Sequence, residues 1–154
     1  MLYPTSGSRL FIADAPTGRD GAIPASGWVE IGETEALGLL GIEWLTDEAE
    51  IAEDIDPTAA LVNWTAKRAR RAKPMQVVMG NDPTDPGQII LTQAAQSMDH
   101  YPFRIDFPNG GPSRQWLAQV VSLADAFDAA NGVVRLQAEL LPSTSTGIQR
   151  SEDT

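Results

Sequence analysis

Side chains that could carry out catalysis are few in this chain of 154 residues. The chain has no cysteine and one histidine, His100, so neither a Cys–His pair nor a metal cluster of several His or Cys ligands can form. The pairs Asp47/Glu48 and Asp54/Asp56 have a spacing that general acid–base chemistry can use, but such pairs also arise by chance in an acid-rich stretch. We therefore expect no enzymatic activity, no bound metal and no cofactor.

Charged residues form two consecutive blocks of opposite sign. Between residues 21 and 66 there are ten acids and no Lys or Arg, whereas the next seven residues hold five of the eleven basic side chains. Such blocks either neutralise one another within one subunit or meet across subunits, where head-to-tail stacking needs complementary surfaces. We expect contacts between subunits or between rings, formed by Glu43, Asp47, Glu48, Glu50, Glu53, Lys67, Arg68, Arg70, Arg71 and Lys73. Arg68, Arg70 and Arg71 are the preferred cationic partners because their planar forks hold carboxylates bidentately.

The overall composition excludes several classes of protein. A net charge of −10 disfavours a protein that binds nucleic acid by neutralising phosphates, and the basic block has no aromatic residues interleaved. No apolar run approaches the roughly 20 residues that span a bilayer, and the first residues lack a signal-peptide pattern. We expect a soluble intracellular protein that does not associate with membranes.

A single helix is predicted by the segment that begins with Asp85-Pro86-Gly87-Gln88. Asp85 is a good N-cap, Pro86 suits the first helical position, and Gln88 lies at capping-box spacing from Asp85. The spacing of the apolar residues that follow predicts a helix that ends near Met98 and packs on a sheet. Asp82 and Asp85 do not have the spacing of a calcium-binding loop.

The rest of the chain has β patterning. Strands are predicted at residues 9–13, 28–32, 38–45, 49–53, 71–79, 101–107, 114–123 and 133–141, and residues 55–65 belong to a long excursion of undetermined course. In the last strand Arg135, Gln137 and Glu139 share one face. We expect one domain over residues 1–142 and a polar, flexible tail over residues 143–154.

This order of elements resembles the tail tube (major tail) proteins of long non-contractile bacteriophage tails and of similar gene-transfer particles. The resemblance spans roughly residues 6–147, and Asp85-Pro86-Gly87-Gln88 with its helix is its most specific element. The long excursion between residues 54 and 73 departs from the pattern.

The resemblance implies a mainly β, sandwich-like or barrel-like subunit with one flanking helix. Six such subunits would form a ring with a shared inner β-barrel, and rings would stack into a tube whose acidic lumen conducts DNA without specific binding. The implied partners are other copies of the chain, a tape measure protein, a tail terminator and distal tail proteins. The implied location is the virion tail, assembled in the host cytoplasm. Glu30, Gln137 and Glu139 are candidates to face the lumen, and Arg135 is expected to pair with a nearby acid such as Glu139 or to face elsewhere.

Two other interpretations compete with a tube subunit. A β-sandwich that binds carbohydrate or protein would need an exposed aromatic platform, for which Trp28, Trp44, Trp64 and Trp116 are the candidates. A small acidic enzyme of unknown class is the other alternative.

Overall fold

The computed structural model describes residues 6–18, 20–51, 62–108, 113–127, 134–145 and 147–151. Over these residues it contains one α-helix, α1 (Pro86–Ala95), and ten β-strands. The strands are β1 (Arg9–Ala13), β2 (Trp28–Ile31), β3 (Thr34–Ala36), β4 (Ile42–Ile51), β5 (Val62–Ala72), β6 (Met75–Gly80), β7 (Tyr101–Asp106), β8 (Ser113–Ala126), β9 (Arg135–Pro142) and β10 (Gln149–Ser151). The one helix in this described part, α1, is not long and apolar enough to cross a membrane.

The main sheet is antiparallel and curls back on itself. Its strand order is β2-β1-β7-β8-β9-β6-β3, so β2 and β3 stand at opposite ends of the path. In a flat sheet these end strands would lie about 29 Å apart, because neighbouring strands are about 4.8 Å apart. Only Gly32 and Glu33 connect them, and that link spans at most about 11 Å. The sheet must therefore roll into an incompletely closed barrel.

Strand β8 is the longest element and organises the sheet. Its first half pairs with β7 on one side and with β10 on the other, and its second half pairs with β9. Strands β9 and β10 follow one another along the same edge of β8. Three residues of the segment expected to be a flexible tail, Gln149–Ser151, thus pair with β8 as a short strand.

The core fills the inside of the rolled sheet and is covered on one side by α1. Trp116 and Phe103 are fully buried and stack with their ring centroids 5.9 Å apart. Helix α1 packs against β8, β2 and β1 through buried Leu91 and Ala94. It ends at Ala95, earlier than the sequence pattern predicted, and Met98 is 89% exposed. The Ser97 and Asp99 side chains hydrogen-bond to each other and the Ser97 hydroxyl accepts from the Asp99 N–H, which favours a turn over further helix.

Strands β4 and β5 form a separate two-stranded hairpin outside the main sheet. Their ladder runs from Ile42↔Ala72 to Ile51↔Val62. The sequence pattern had divided this region differently, with strands at 38–45 and 49–53 and a single strand over 71–79. That last prediction is wrong because Pro74, which has no N–H to donate, separates β5 from β6. Residues 52–61 lie outside the described part.

Candidate assembly surfaces

The joint between the helix and the closing point of the barrel is built by Asp85 to Gln88. The Asp85 carboxylate accepts the Gln88 N–H, as the capping pattern predicted, and the same oxygen accepts the Gly32 N–H, each at 3.0 Å. A Cβ on Gly87 would overlap the Glu30 carbonyl, so only glycine lets the helix approach β2 this closely. The joint fixes the helix to the residues that link β2 and β3.

The Gln88 side chain does not form the reciprocal half of a capping box. It is 3% exposed, its Nε2 donates to the carbonyls of Gly32 and Gly80, and its Oε1 accepts the Asp82 N–H. These bonds satisfy partly buried main-chain groups from the β2–β3 link and from the end of β6. Capping-box spacing located this residue, but its long-range partners could not be read from local sequence.

The outward face of β9 continues across its neighbours as a surface of polar and small apolar side chains. Arg135, Gln137 and Glu139 alternate with buried residues, as the sequence predicted. Opposite them on β8 stand Ala126, Ala124 and Ser122, and on β6 Gln76 donates to Gln137 at 3.3 Å. Arg135 pairs with Glu35 of β3 at 2.7 Å, an acid that was not among the residues predicted from the sequence. We call this four-strand surface, formed by β8, β9, β6 and β3, the polar face.

Glu30, the third lumen candidate, lies on a different part of the barrel. It is on β2, where its carboxylate binds the Arg9 guanidinium at 2.6 and 3.0 Å. These hydrogen bonds, aided by the opposite charge, lower the pKa of Glu30 and raise that of Arg9. Glu30 therefore lies outside the strands that carry Gln137, Glu139 and their neighbours, which are β8, β9, β6 and β3.

Beside Glu30, an arginine is layered between aromatic rings on the outside of β1, β2 and β7. The Arg104 guanidinium lies 4.6 Å from the Phe11 ring centroid and 5.2 Å from that of Trp28, and it binds Asp106 at 2.9 Å. Arg104 is a polar residue in the alternating pattern of β7. Its aromatic partners depend on the β1–β7 register, which places Phe11 opposite Arg104 and which no local pattern encodes.

The β4–β5 hairpin brings the two charge blocks side by side within one chain. Glu43 stands opposite Arg71 and binds it, and Lys73 lies 3.9 Å from the same carboxylate. Lys67 and Arg70 instead lie over the Trp44 ring, with their cationic atoms 5.1 and 5.9 Å from its centroid. The side chains of Asp47, Glu48, Glu50 and Arg68 and the whole of Glu53 lie outside the described residues.

The described residues include no group of three or more His, Cys, Asp and Glu side chains that could hold a metal ion. The cavities are open surface hollows lined by mixed polar and apolar residues. His100 lies in one of them, beside Arg70 and Arg71, and its carbonyl accepts the Thr17 N–H at 2.8 Å. The prominent surface features of the described residues are thus the end strands β2 and β3, the polar face, the Arg104 layer and the β4–β5 hairpin.

Comparison with known proteins finds solved structures that are similar to this one. No protein-family model and no curated protein matches the sequence. The sheath/tube terminator of the PVC extracellular contractile injection system, in its extended state, matches with a TM-score of 0.65 and 12% identity over 98% of this chain and 97% of that chain. The tube-terminating cap of the anti-feeding prophage matches with a TM-score of 0.63 and 15% identity over 99% and 92%.

The tail tube of phage SPP1 matches with a TM-score of 0.59 and 15% identity, over 97% of this chain and 80% of that chain. Each of these likenesses extends over nearly the whole of this chain, although identity stays between 12% and 15%. The chain therefore has the tail tube fold, a mainly β antiparallel architecture with one flanking helix.

Proposed function

We propose that this protein is a non-catalytic structural subunit of the tail tube of a phage or phage-like injection particle. The observation that carries the proposal is the structural match over nearly all of this chain to the SPP1 tail tube, to the PVC sheath/tube terminator and to the anti-feeding prophage cap. The finer assignment, to a long non-contractile tail, follows the sequence resemblance and the SPP1 match. In that setting its partners are further copies of itself, a tape measure protein, a tail terminator and distal tail proteins. It would act in the virion tail after assembly in the host cytoplasm.

Open sheet edges support a ring of subunits. Strands β2 and β3 end the main sheet, and no strand among the described residues pairs with their outer edges. An exposed edge is a template for pairing with another chain, and closure into a barrel removes it. In a ring of six subunits, as the resemblance implies, pairing between neighbours would satisfy these edges in a shared inner barrel.

The polar face suits the wall of a channel for DNA. Its side chains on β8 are small, and its charged groups Glu35, Glu139 and Arg135 give two carboxylates against one guanidinium that is already paired. A wall of this kind offers no free cation for phosphates to bind and repels them weakly, so DNA would slide through it. We propose that Gln137 and Glu139 face the lumen, whereas Glu30 is held by Arg9 on another part of the barrel.

A tube terminator is the second candidate, because two of the matched structures are the PVC sheath/tube terminator and the anti-feeding prophage cap. A tube subunit must present two complementary ends and polymerise without limit. A terminator closes one end and stops at a ring. The two functions therefore differ in the size of the assembly that the pure protein forms.

Sedimentation velocity at increasing protein concentration, followed by electron microscopy with negative stain, tests the proposal. Hollow tubes establish a tube subunit, and single rings at every concentration establish a terminator. A protein that stays monomeric contradicts both and favours the binding-module alternative. That alternative has little support among the described tryptophans, because Trp116 is fully buried, Trp28 is partly covered and only Trp44 is largely exposed. The side chain of Trp64 lies outside the described residues.

A further inference from the structure

A small, mainly apolar cavity of about 220 Å³ opens beside the first half of β8. Leu37, Leu40, Ile105 and Ile148 contribute to its lining. One wall is fixed by Gly38, whose φ of +68° and overlap with the Gln76 carbonyl exclude any side chain there. An apolar cavity of about 150 Å³ already holds a benzene ring, so this cavity has room for one aromatic side chain.

An exposed aromatic side chain stands at the other end of the same strand. Phe127 directly follows β8 and is 76% exposed. Val134, 38% exposed, directly precedes β9, and the last pair of the β8–β9 ladder is Ala126↔Arg135. Phe127 and Val134 therefore form an exposed apolar pair beside the last described rung of the β8–β9 ladder, which we call the apolar knob.

The cavity and the knob lie at opposite ends of the molecule along β8. Arg114 marks the cavity end, and about 13 residues of extended chain, or about 43 Å, separate it from Phe127. A contact that joins one end of a subunit to the opposite end of the next is heterologous and repeats without closing, which is the geometry of a filament or tube.

Charge complements shape at these two ends. Arg114 and Arg150 line the cavity and stand opposite each other on β8 and β10. At the other end Asp125 lies two residues before Phe127, and its carboxylate accepts a hydrogen bond from Asn81 at 2.9 Å. Arg135 at this end is paired with Glu35, so the net charge beside Phe127 is negative. An acidic knob and a basic cavity attract one another and disfavour the reversed, knob-to-knob arrangement.

We propose that Phe127 of one copy inserts into the cavity between Leu40 and Ile148 of the next copy along the tube axis. This inference rests on the proposed function, because it assigns a contact between successive rings of the tube. It is distinct from the contacts expected of the β4–β5 hairpin, which involve other residues.

The first test compares Phe127→Ala with Met98→Ala, a matched control at another exposed apolar residue, 89% exposed at the end of the helix. Because burial of one phenylalanine favours association, the Phe127 variant should raise the critical concentration for tube formation by about tenfold or more. The Met98 variant should leave it unchanged, and both variants should keep the wild-type unfolding midpoint. Equal critical concentrations for Phe127→Ala and the wild type would overturn the inference.

The second test uses the absence of cysteine from the chain. Cysteines placed at Ala126 and Leu40 keep Phe127 intact and put one thiol at each proposed contact. A short bismaleimide reagent should then link assembled subunits into a ladder of dimers, trimers and longer chains, because each subunit carries both ends of the contact. A control with cysteines at Met98 and Leu40 should give no ladder. Assembled protein that gives no ladder from the Ala126/Leu40 pair would contradict the proposed contact.

A charge exchange separates this inference from the proposed function. Arg150→Asp should weaken tube formation, and addition of Asp125→Arg should restore it in part. If the wild type forms tubes and none of these substitutions alters tube formation, the proposed function stands and the proposed contact is wrong. Wild-type protein that forms no tube or ring would remove both.

Discussion

At the scale of single residues, the strongest constraints lie where the helix meets the closing point of the barrel. Asp85 accepts two backbone N–H groups, and Gln88 satisfies three backbone groups from two other segments. Gly87 between them has no room for a side chain. The sequence identified this turn as its most specific feature, and the structure gives the reason, because one tetrapeptide both starts the helix and fixes it to the residues that link β2 and β3.

Gly87→Ala tests that constraint. The added methyl group would overlap the backbone of Glu30 and Ile31, which is not flexible, so the helix must move. We expect a loss of at least about 2 kcal/mol in the free energy of unfolding, measured by urea denaturation. Gly18→Ala is the matched control, because no atom lies within 4 Å of the new methyl group there, and it should change stability by less than about 0.5 kcal/mol. Equal stability of the two variants would show that the helix can shift freely.

The Arg9–Glu30 pair predicts a pH dependence of stability. The hydrogen bond from Arg9 lowers the pKa of Glu30 in the folded protein, so the stabilisation is present above the ordinary glutamate pKa of about 4.3 and is lost as the pH falls through the lowered value. Wild type should therefore exceed Glu30→Gln in urea midpoint at pH 7, and the difference should shrink progressively as the pH falls below the ordinary glutamate pKa of about 4.3. The effect is small, since both side chains are largely exposed. If the difference stays constant with pH, the destabilisation by Glu30→Gln comes from packing and not from the ion pair.

At the scale of elements, local patterns were sufficient where an element's own residues decide it. The pattern predicted β1 at Arg9–Ala13, the helix start at Asp85 and the alternation of β9, each from side chains a few positions apart. Local patterns failed where pairing with a distant strand decides whether an element forms. The short strand β3 exists only because it pairs with β6, and β10 only because β8 extends beyond the end of β9. Register and partner choice also determine the polar face, so only its β9 residues were predictable.

The β4–β5 hairpin carries a prediction about ring stacking. Arg70 is exposed and lies over the Trp44 ring, and reversal of its charge by Arg70→Glu should block polymerisation while the monomer stays folded. Assembly of the wild type should weaken as the salt concentration rises, because salt screens the contacts. Arg71 is already bound to Glu43 in the same chain, so the exchange Arg71→Glu with Glu43→Arg serves as the control that keeps the internal pair. Normal tubes from Arg70→Glu at low salt would show that this hairpin does not hold rings together through charge.

At the scale of the whole molecule, one side of the barrel is polar and small and the other carries aromatic rings with layered arginines. The polar face spans β8, β9, β6 and β3, and the arginine layer spans β1, β2 and β7. A tube subunit needs two such different surfaces, because one must contact DNA without binding it and the other faces solvent or other proteins. This asymmetry decides which side we assign to the channel.

Thiol accessibility tests that assignment in assembled tubes. Ser122→Cys places the only thiol of the chain on the polar face, opposite Glu139. A small maleimide should modify it in tubes, whereas a maleimide coupled to a large protein should react only with dissociated subunits. Gln93→Cys, on the exposed side of the helix, should react with both reagents in both states. Reaction of the large reagent with Ser122→Cys in intact tubes would place the polar face on the outer wall.

The pairing of β1 has a consequence for the order of events during synthesis. Strand β1 pairs with β2 early, but its other edge waits for β7, with Leu10 opposite Ile105 about 95 residues later. At about 5–20 residues per second, the ribosome leaves that edge open for about 5–20 seconds. During this interval each nascent chain carries an apolar hairpin with an unpaired edge, which invites aggregation with neighbouring nascent chains. We expect a protease to cut within residues 9–13 of stalled chains that end before β7, and to spare longer ones, because the emergence of β7 covers this open edge.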